Sequence, residues 1–339
     1  MTRLRVAVIM GGRSSEHEIS VASARSVVEG LDPERYEVRE VEIARDGRWE
    51  LPRAGRAQLG EGEYEKLPVP LDGSPQPFES VDVVFPVLHG PFGEDGTVQG
   101  FLELAGVAYV GAGVTASALC MDKDLFKAVM RDKGIPVVDS VTVLERNRQG
   151  VENPFGYPVV VKPARLGSSV GISVVKDADE LSNAIDLAFE HDEKVLLEQY
   201  VGGVEVECSV LGNDEPIASI PGEIVPLVSD WYDYRAKYEE GGMDLVVPPR
   251  LDERTIARVQ ELAVAAFVAS DCEGMARVDF FVRDDGEVLV NELNTIPGFT
   301  STSVYAKLFE ASGIPYQELL DRLVALALER RDRRARLKY

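Results

Sequence analysis

Asp279, Glu292 and Asn294 fall in one stretch, RVDFFVRDDGEVLVNELNT at 277–295, and together they form a set of hard oxygen donors. Apolar and β-branched residues on either side of Asp284-Asp285-Gly286 make the stretch read as two strands joined by a turn. Because strand side chains alternate faces, Arg277 and Asp279 share one face of the first strand, and Glu292 and Asn294 share one face of the second. Folding near Asp285 sets Asp279 opposite Glu292. Two carboxylates so placed repel unless a cation lies between them, and carboxylate plus amide oxygen suits Mg²⁺ held jointly with phosphates. The plain alternative is a solvated strand face. Against it, these acids interrupt apolar strands and one neighbours an arginine.

A second group lies upstream. The loop Arg165-Leu166-Gly167-Ser168-Ser169-Val170-Gly171 joins two strands, and its small residues permit close backbone approach while offering N–H and hydroxyl donors to phosphate oxygens. It is no Walker loop, since no Gly-Lys-Ser/Thr follows, and by itself it also reads as an ordinary hairpin tip. Lys162, ending the apolar run Val159 to Val161, supplies a fixed cation beside it. Glu198 closes another apolar strand in VLLEQYV, with Glu205 seven residues on. Backbone at such a strand end can read adenine edges, and a carboxylate can accept from ribose hydroxyls. Lys123 cannot be selected from spacing alone.

The elements that must hold these groups follow from pattern. With 339 residues, two or three domains are expected. Residues 4–10 form a buried strand, Gly11 and Gly12 turn the chain, and a helix is expected from Ser14 or Ser15 to Gly30. Strands at 36–43, 81–88 and 107–110 and a helix at 96–105 imply a doubly wound α/β unit, with 45–80 as a surface insertion. A helix over 116–133 leads to a smaller α+β unit with strands at 157–163, 171–175, 194–200 and 204–211 and a helix at 179–189. Beyond it come a strand at 219–225, a loop-like stretch at 229–249, a helix at 252–270, the acidic hairpin and closing helices. The expected division is 1–118, 119–212 and 213–339.

Composition narrows the partners. The chain carries 36 basic and 58 acidic residues, a net charge of −22, which argues against a nucleic-acid or anionic-membrane surface. The basic tail from Arg330 to Lys338 reads as a solvated helix end, where cations complement the dipole. No apolar run is long enough to span a membrane and no signal-peptide pattern opens the chain, so a cytoplasmic location is expected. Cys120, Cys208 and Cys272 read as buried reduced thiols.

Taken together, several segments resemble ATP-grasp enzymes and, within them, the D-alanine–D-alanine ligase family: MGGRSSEHEIS at 10–20, LHGPFGEDGTVQG at 88–100, MDK at 121–123, VVVKPARLGSSVG at 159–171, YDYRAKY at 232–238, RVDFF at 277–281 and NELNTIPGFTSTS at 291–303. They occur in order across nearly the whole chain, and the joint match is specific where each alone is weak. The resemblance implies an ATP-grasp fold with an N-terminal doubly wound α/β domain, a small central α+β domain and a C-terminal α+β domain. It implies ligation of two D-alanines through a D-alanyl phosphate, with ATP as substrate and two Mg²⁺ ions for which Mn²⁺ can substitute, serving peptidoglycan precursor synthesis. A homodimer is implied by the family only.

Residue by residue, the resemblance puts Lys123 and Lys162 on the phosphates beneath Gly167, Ser168 and Ser169. Adenosine falls to Glu198, Gln199, Val201 and Glu205, with Lys237, Asn291 and Glu292 completing the nucleotide site. Gln199 departs from a lysine in some relatives, which backbone reading of adenine should tolerate. Asp279, Glu292 and Asn294 are the expected metal ligands. Glu18 is expected on the ammonium of the first D-alanine, in a network with Ser168 and Tyr238, although Ser15-x-x-Glu18 also fits a capping box. His89 is assigned to the substrate pocket, Arg277 and the Gly298 N–H to the oxyanion, and Ser303 with Val304 to the second carboxylate. The 229–249 stretch, with Tyr232, Tyr234, Lys237 and Tyr238, is the expected lid. Three other readings compete: a D-alanyl-D-lactate ligase, disfavoured by Tyr238; a nucleotide-dependent dehydrogenase, disfavoured by the lack of Gly-x-Gly-x-x-Gly; and a noncatalytic ATP-binding protein.

Overall fold

The computed structural model describes residues 3–51, 65–66, 78, 80–148, 150–227 and 242–338. Three sheets organise it. The first runs β4-β3-β2-β1-β5-β6, from β1 (Leu4–Gly11), β2 (Tyr36–Ile43), β3 (Trp49–Leu51), β4 (Glu65–Lys66), β5 (Val83–Pro86) and β6 (Ala108–Tyr109). Strand β1 is parallel to β2 and β5, and β5 to β6. Apolar residues occupy β1 continuously because both faces are covered. Val6 and Val8 meet α1 (His17–Gly30) through Ala24 and Val27, while Ala7 and Ile9 meet α2 (Thr97–Leu104) through Val98 and Leu102. Where sequence suggested a surface insertion at 45–80, β3 and β4 extend the sheet in antiparallel fashion, and the Trp49 ring packs on Phe78 and Phe101 at 6.1 and 5.3 Å.

The expected helix over 116–133 is two helices, α3 (Val114–Met121) and α4 (Lys123–Asp132), broken at Asp122. Asp122 takes an extended conformation and its side chain accepts from the Leu125 N–H, capping α4. Lys123 thereby becomes the first residue of a helix rather than one in the middle.

The second sheet, β7-β10-β8-β9, is antiparallel: β7 (Ser140–Leu144), β8 (Val159–Pro163), β9 (Ser173–Val175) and β10 (Lys194–Gln199). Helix α5 (Ala178–Phe189) covers one face through Leu181, Ala184, Ile185 and Ala188.

The third sheet runs β14-β13-β11-β15-β16, from β11 (Val204–Gly212), β13 (Gly222–Pro226), β14 (Met243–Val246), β15 (Gly274–Val282) and β16 (Val288–Asn294), with β12 (Ile217–Ala218) on β11. Helix α6 (Glu253–Ala269) packs Val259, Leu262, Ala266 and Phe267 beneath it. Strand β14 lies within the stretch expected to be loop-like. Strand β11, expected in the central unit, pairs along its length with β15. We therefore propose that the central unit ends near Gly202-Gly203 and not at 212.

Two closing helices, α7 (Val304–Ala311) and α8 (Tyr316–Arg334), complete the chain. Helix α8 returns to the first sheet, where Leu319, Leu320, Leu323 and Val324 share a core with Val6, Val8 and Phe85. Its basic end is only partly solvated: Arg330 is buried, donates to the Tyr109 carbonyl at 2.7 Å and stacks on the Tyr109 ring at 4.2 Å, because the sheet edge offers unpaired carbonyls and an aromatic face. All three cysteines are buried free thiols. Among the described residues no helix is long and apolar enough to cross a membrane.

Candidate active site

A cavity of about 360 Å³ opens between the second and third sheets. Lys123, Lys162, Gly167, Ser168, Ser169, Glu198, Gln199, Val201, Glu205, Asn291 and Glu292 all line it, together with Asp279. Thus the residues expected around nucleotide, apart from Lys237, are brought to one place. Lys237 and Tyr238, with Tyr232 and Tyr234, lie outside the described residues.

Lys162 on β8 is diagonal to Glu198 on β10, close enough for long side chains to pair across the strands. Its Nζ is 2.7 Å from Glu198 and donates to Asn291 Oδ1 at 3.4 Å. A residue that sequence reasoning missed completes the group. Lys127, one turn into α4 and fully buried, is 2.6 Å from Glu198 and donates to the Val138 carbonyl at 3.0 Å. Burial pushes Lys127 down to about 8, still above neutrality. Burial also acts to raise Glu198, but Lys127 and Lys162 outweigh it and hold the carboxyl below its usual range. The Lys127–Glu198 pair therefore stays ionised at pH 7, leaving Lys162 able to turn toward a phosphate. Replacing Lys127 with Met should cost about 1–3 kcal/mol of stability, because buried Glu198 then keeps Lys162 as its remaining cation, measurable as a lower urea midpoint at unchanged m.

Lys123 begins α4, where backbone N–H groups and the helix dipole favour an anion. Its Nζ donates to the Leu166 carbonyl at 2.9 Å, tying α4 to the serine loop, and sits 3.3 Å from Glu292. In that loop Ser168 and Ser169 have φ of 54° and 58°, left-handed values that side chains adopt only when surroundings enforce them.

The acidic hairpin has the expected register, with Asp279 opposite Glu292 and Arg277 opposite Asn294. The row extends one strand further, since Glu207 of β11 stands opposite Asp279. Arg277 Nε and Nη2 each donate to Asp279 at 2.7 Å, Nε also lies 2.8 Å from Glu207, and Asn294 Nδ2 donates to Asp279 Oδ2 at 3.0 Å. Cations already balance both expected metal-binding carboxylates: an arginine at Asp279 and a lysine at Glu292. Among the described residues no three His, Cys, Asp or Glu side chains converge on a metal position. Two carboxylates and one amide form an incomplete cage, the donor set that suits Mg²⁺ completing its shell with phosphate and water.

Glu18 does not reach this region. Its side chain is 78% exposed and pairs with Arg45 at 2.9 Å. Helix α1 starts at His17 and not at Ser14 or Ser15, and Glu16 at its N-cap makes no side-chain cap bond, so the capping box does not form either. Glu16 is the buried acid: it belongs to the stripe of Ser20, Ser23, Ala24 and Val27, whereas Glu18 falls on the outer face. The Ser168 hydroxyl donates to Glu16 Oε1, and a Cβ at Gly90 (φ 72°) would lie 2.5 Å from Glu16 Oε2. Helical period read backward from Ser20 would have singled out Glu16.

His89 is buried near Glu16, its Nδ1 2.9 Å from the Ile296 carbonyl and its Nε2 3.3 Å from Ser23 Oγ. Burial lowers its pKa, with Glu16 opposing, so the ring is neutral at pH 7. Glu94 is also buried beside Glu16, and burial followed by the Glu16 charge raises it to about 8. Ser303 stands at the N-cap position of α7 without a side-chain cap bond, its Oγ accepting instead from the Thr300 N–H at 3.0 Å, while Val304 is the first residue of that helix, whose N-terminus can take a carboxylate.

Two antiparallel sheets with lysines, a serine-glycine loop and strand acids facing one cavity mark an ATP-grasp enzyme. Residues 5–112 match the family described as D-ala D-ala ligase N-terminus and residues 129–325 the one described as D-ala D-ala ligase C-terminus. The chain is 44% identical to a D-alanine–D-alanine ligase of Caldicellulosiruptor bescii over 362 positions, covering 100% of this chain and 99% of that one. It superposes on the VanG D-Ala:D-Ser ligase of Enterococcus faecalis with TM-score 0.86 at 38% identity, covering 96% of this chain and 100% of the other. On the Bacillus anthracis D-alanine–D-alanine ligase complexed with ATP the TM-score is 0.76 at 29% identity, over 98% and 99% of the two chains. The chain belongs to the D-alanine–D-alanine ligase family.

Proposed function

We propose that this enzyme joins two D-alanines at the expense of ATP, by way of a D-alanyl phosphate, to make the dipeptide used in peptidoglycan precursors. The observation that carries the reading is the meeting, in one cavity, of Lys123, Lys162 and the serine loop with Asp279 and Glu292. Lys123 and Lys162 bind the transferring phosphoryl group and neutralise charge on its oxygens. Asp279, Glu292 and Asn294 hold Mg²⁺, for which Mn²⁺ can substitute; bound there, the metal supplies charge neutralisation at the phosphates. Gln199 and Val201 border adenine, Glu205 takes the ribose hydroxyls, and Asn291 helps fix Lys162.

Glu16, in the place expected for Glu18, binds the ammonium of the first D-alanine and through Ser168 senses loop closure. The carboxylate of that first D-alanine attacks the γ-phosphorus, breaking the bond to ADP and forming D-alanyl phosphate. The amine of the second D-alanine attacks the acyl carbon, phosphate leaves, and the nitrogen loses its proton. Arg277 and the Gly298 N–H receive the oxyanion, while Ser303 and the α7 N-terminus at Val304 hold the second carboxylate. The site must exclude water, which would hydrolyse the acyl phosphate. The enzyme acts in the cytoplasm as a homodimer.

Phosphate release with ATP and D-alanine, L-alanine as control, and identification of the product test this reading. Full activity with L-alanine, or release without dipeptide, would overturn it. D-Lactate and D-serine as second substrates test the alternatives, of which D-alanyl-D-lactate synthesis is disfavoured by the family match. Glu16→Gln should raise the KM for the first D-alanine at least about 10-fold, as loss of a charged contact does, while Glu18→Gln stays within about 2-fold. Reversed sensitivities would restore Glu18 to the site.

A further inference from the structure

Resting on the reading above, we propose that Glu94, His89 and Ser23 are positioning residues that hold the Gly298 N–H where the oxyanion forms. Three side chains, from α1 and the loop after β5, grip the segment on both sides of that N–H. The Ile296 N–H donates to Glu94 Oε1 at 3.1 Å, and the Ile296 carbonyl lies 2.9 Å from His89 Nδ1. Beyond Gly298, the Phe299 N–H donates to Ser23 Oγ at 3.3 Å, and that hydroxyl is 3.3 Å from His89 Nε2.

These contacts form one directed chain. A carbonyl can only accept, so Nδ1 carries the proton and Nε2 accepts from the Ser23 hydroxyl, which in turn accepts from Phe299. A neutral imidazole is the form this requires, and burial of His89 favours it. Glu94 closes the other end: its second oxygen accepts from the Gly90 N–H at 2.7 Å, so the loop bearing His89 and the segment bearing Gly298 share one carboxyl. Among the described residues no group accepts the Gly298 N–H itself. The flanking peptide units are fixed and this donor is left for the substrate, an arrangement that preorganises it at no reorganisation cost during reaction.

A donor needed for amine attack, and not for phosphoryl transfer, gives a specific signature when misplaced. Acyl phosphate still forms, but amide formation slows, and water takes the phosphoryl group by attack at phosphorus, a route that builds no oxyanion on the acyl carbon and returns D-alanine and phosphate. Glu94→Gln keeps one carbonyl acceptor and places an amide N–H₂ against a backbone N–H. In this variant dipeptide kcat should fall about 10-fold or more, a fraction of the cost of losing an oxyanion donor outright, with the KM for ATP within about 3-fold. The ratio of phosphate released to dipeptide formed should rise from about one to about two or more as water competes. Ser23→Ala, a milder change, should move the same ratio in the same direction.

Wild-type enzyme that makes no dipeptide would refute the function itself. A wild-type ratio of one that stays at one in both variants would overturn this inference alone. Should Glu94→Gln fail to fold, the ratio in Ser23→Ala decides, and slowed turnover with coupling intact would make the residue merely structural.

Discussion

Replacing Glu292 with Gln is expected to lower turnover at least about 100-fold, the scale of losing charge stabilisation at a transferring phosphoryl group. The isosteric amide keeps the shape but removes the charge that Lys123 and the metal share. Glu292 lies 3.3 Å from Lys123, so both the proposed metal position and the phosphate-binding lysine lose their counter-charge together. Initial rates across an Mg²⁺ titration measure this, and the defect should be greatest at limiting metal. A variant as active as wild type at low Mg²⁺ would remove Glu292 from the metal site.

Arg277→Lys should be nearly as damaging to chemistry while sparing nucleotide. The guanidinium fork contacts Asp279 through two nitrogens and reaches Glu207 on the next strand, which a single ammonium cannot reproduce. We expect kcat to fall by about 100-fold, while the Kd for ATP shifts less than about 3-fold. Pre-steady-state phosphate and dipeptide formation, with ATP binding by calorimetry, separate the two. Equal losses in both would make Arg277 a brace for the sheet.

The chemistry on the third sheet was legible because its signal is local. Alternation and an Asp-Gly turn bring Asp279 close to Glu292, and a one-residue register shift between Asp279 and Phe280 sets the two directly opposite, where unbroken pairing would have met Asn291. Lys162 and the serine loop are likewise contiguous. What escaped sequence reasoning depends on contacts between distant segments. Strand β11 looks like a continuation of the central unit until its partner β15 is known. Lys127 reads as a surface lysine on an amphipathic helix until Glu198 arrives from β10 to pair with it. The family resemblance puts Glu18 on the substrate ammonium against its local reading as part of a cap, whereas the helix begins at His17 and turns Glu18 outward to Arg45.

The last helix has a consequence for how the chain is made. Leu319, Leu320, Leu323 and Val324 fill the same core as β1, so that strand is completed by a helix made long after it. At ordinary rates of synthesis, roughly 10 to 40 s separate β6 from α8. For that interval α1 covers only part of that face of the parallel sheet, and the apolar surface that α8 will bury stays open to other chains.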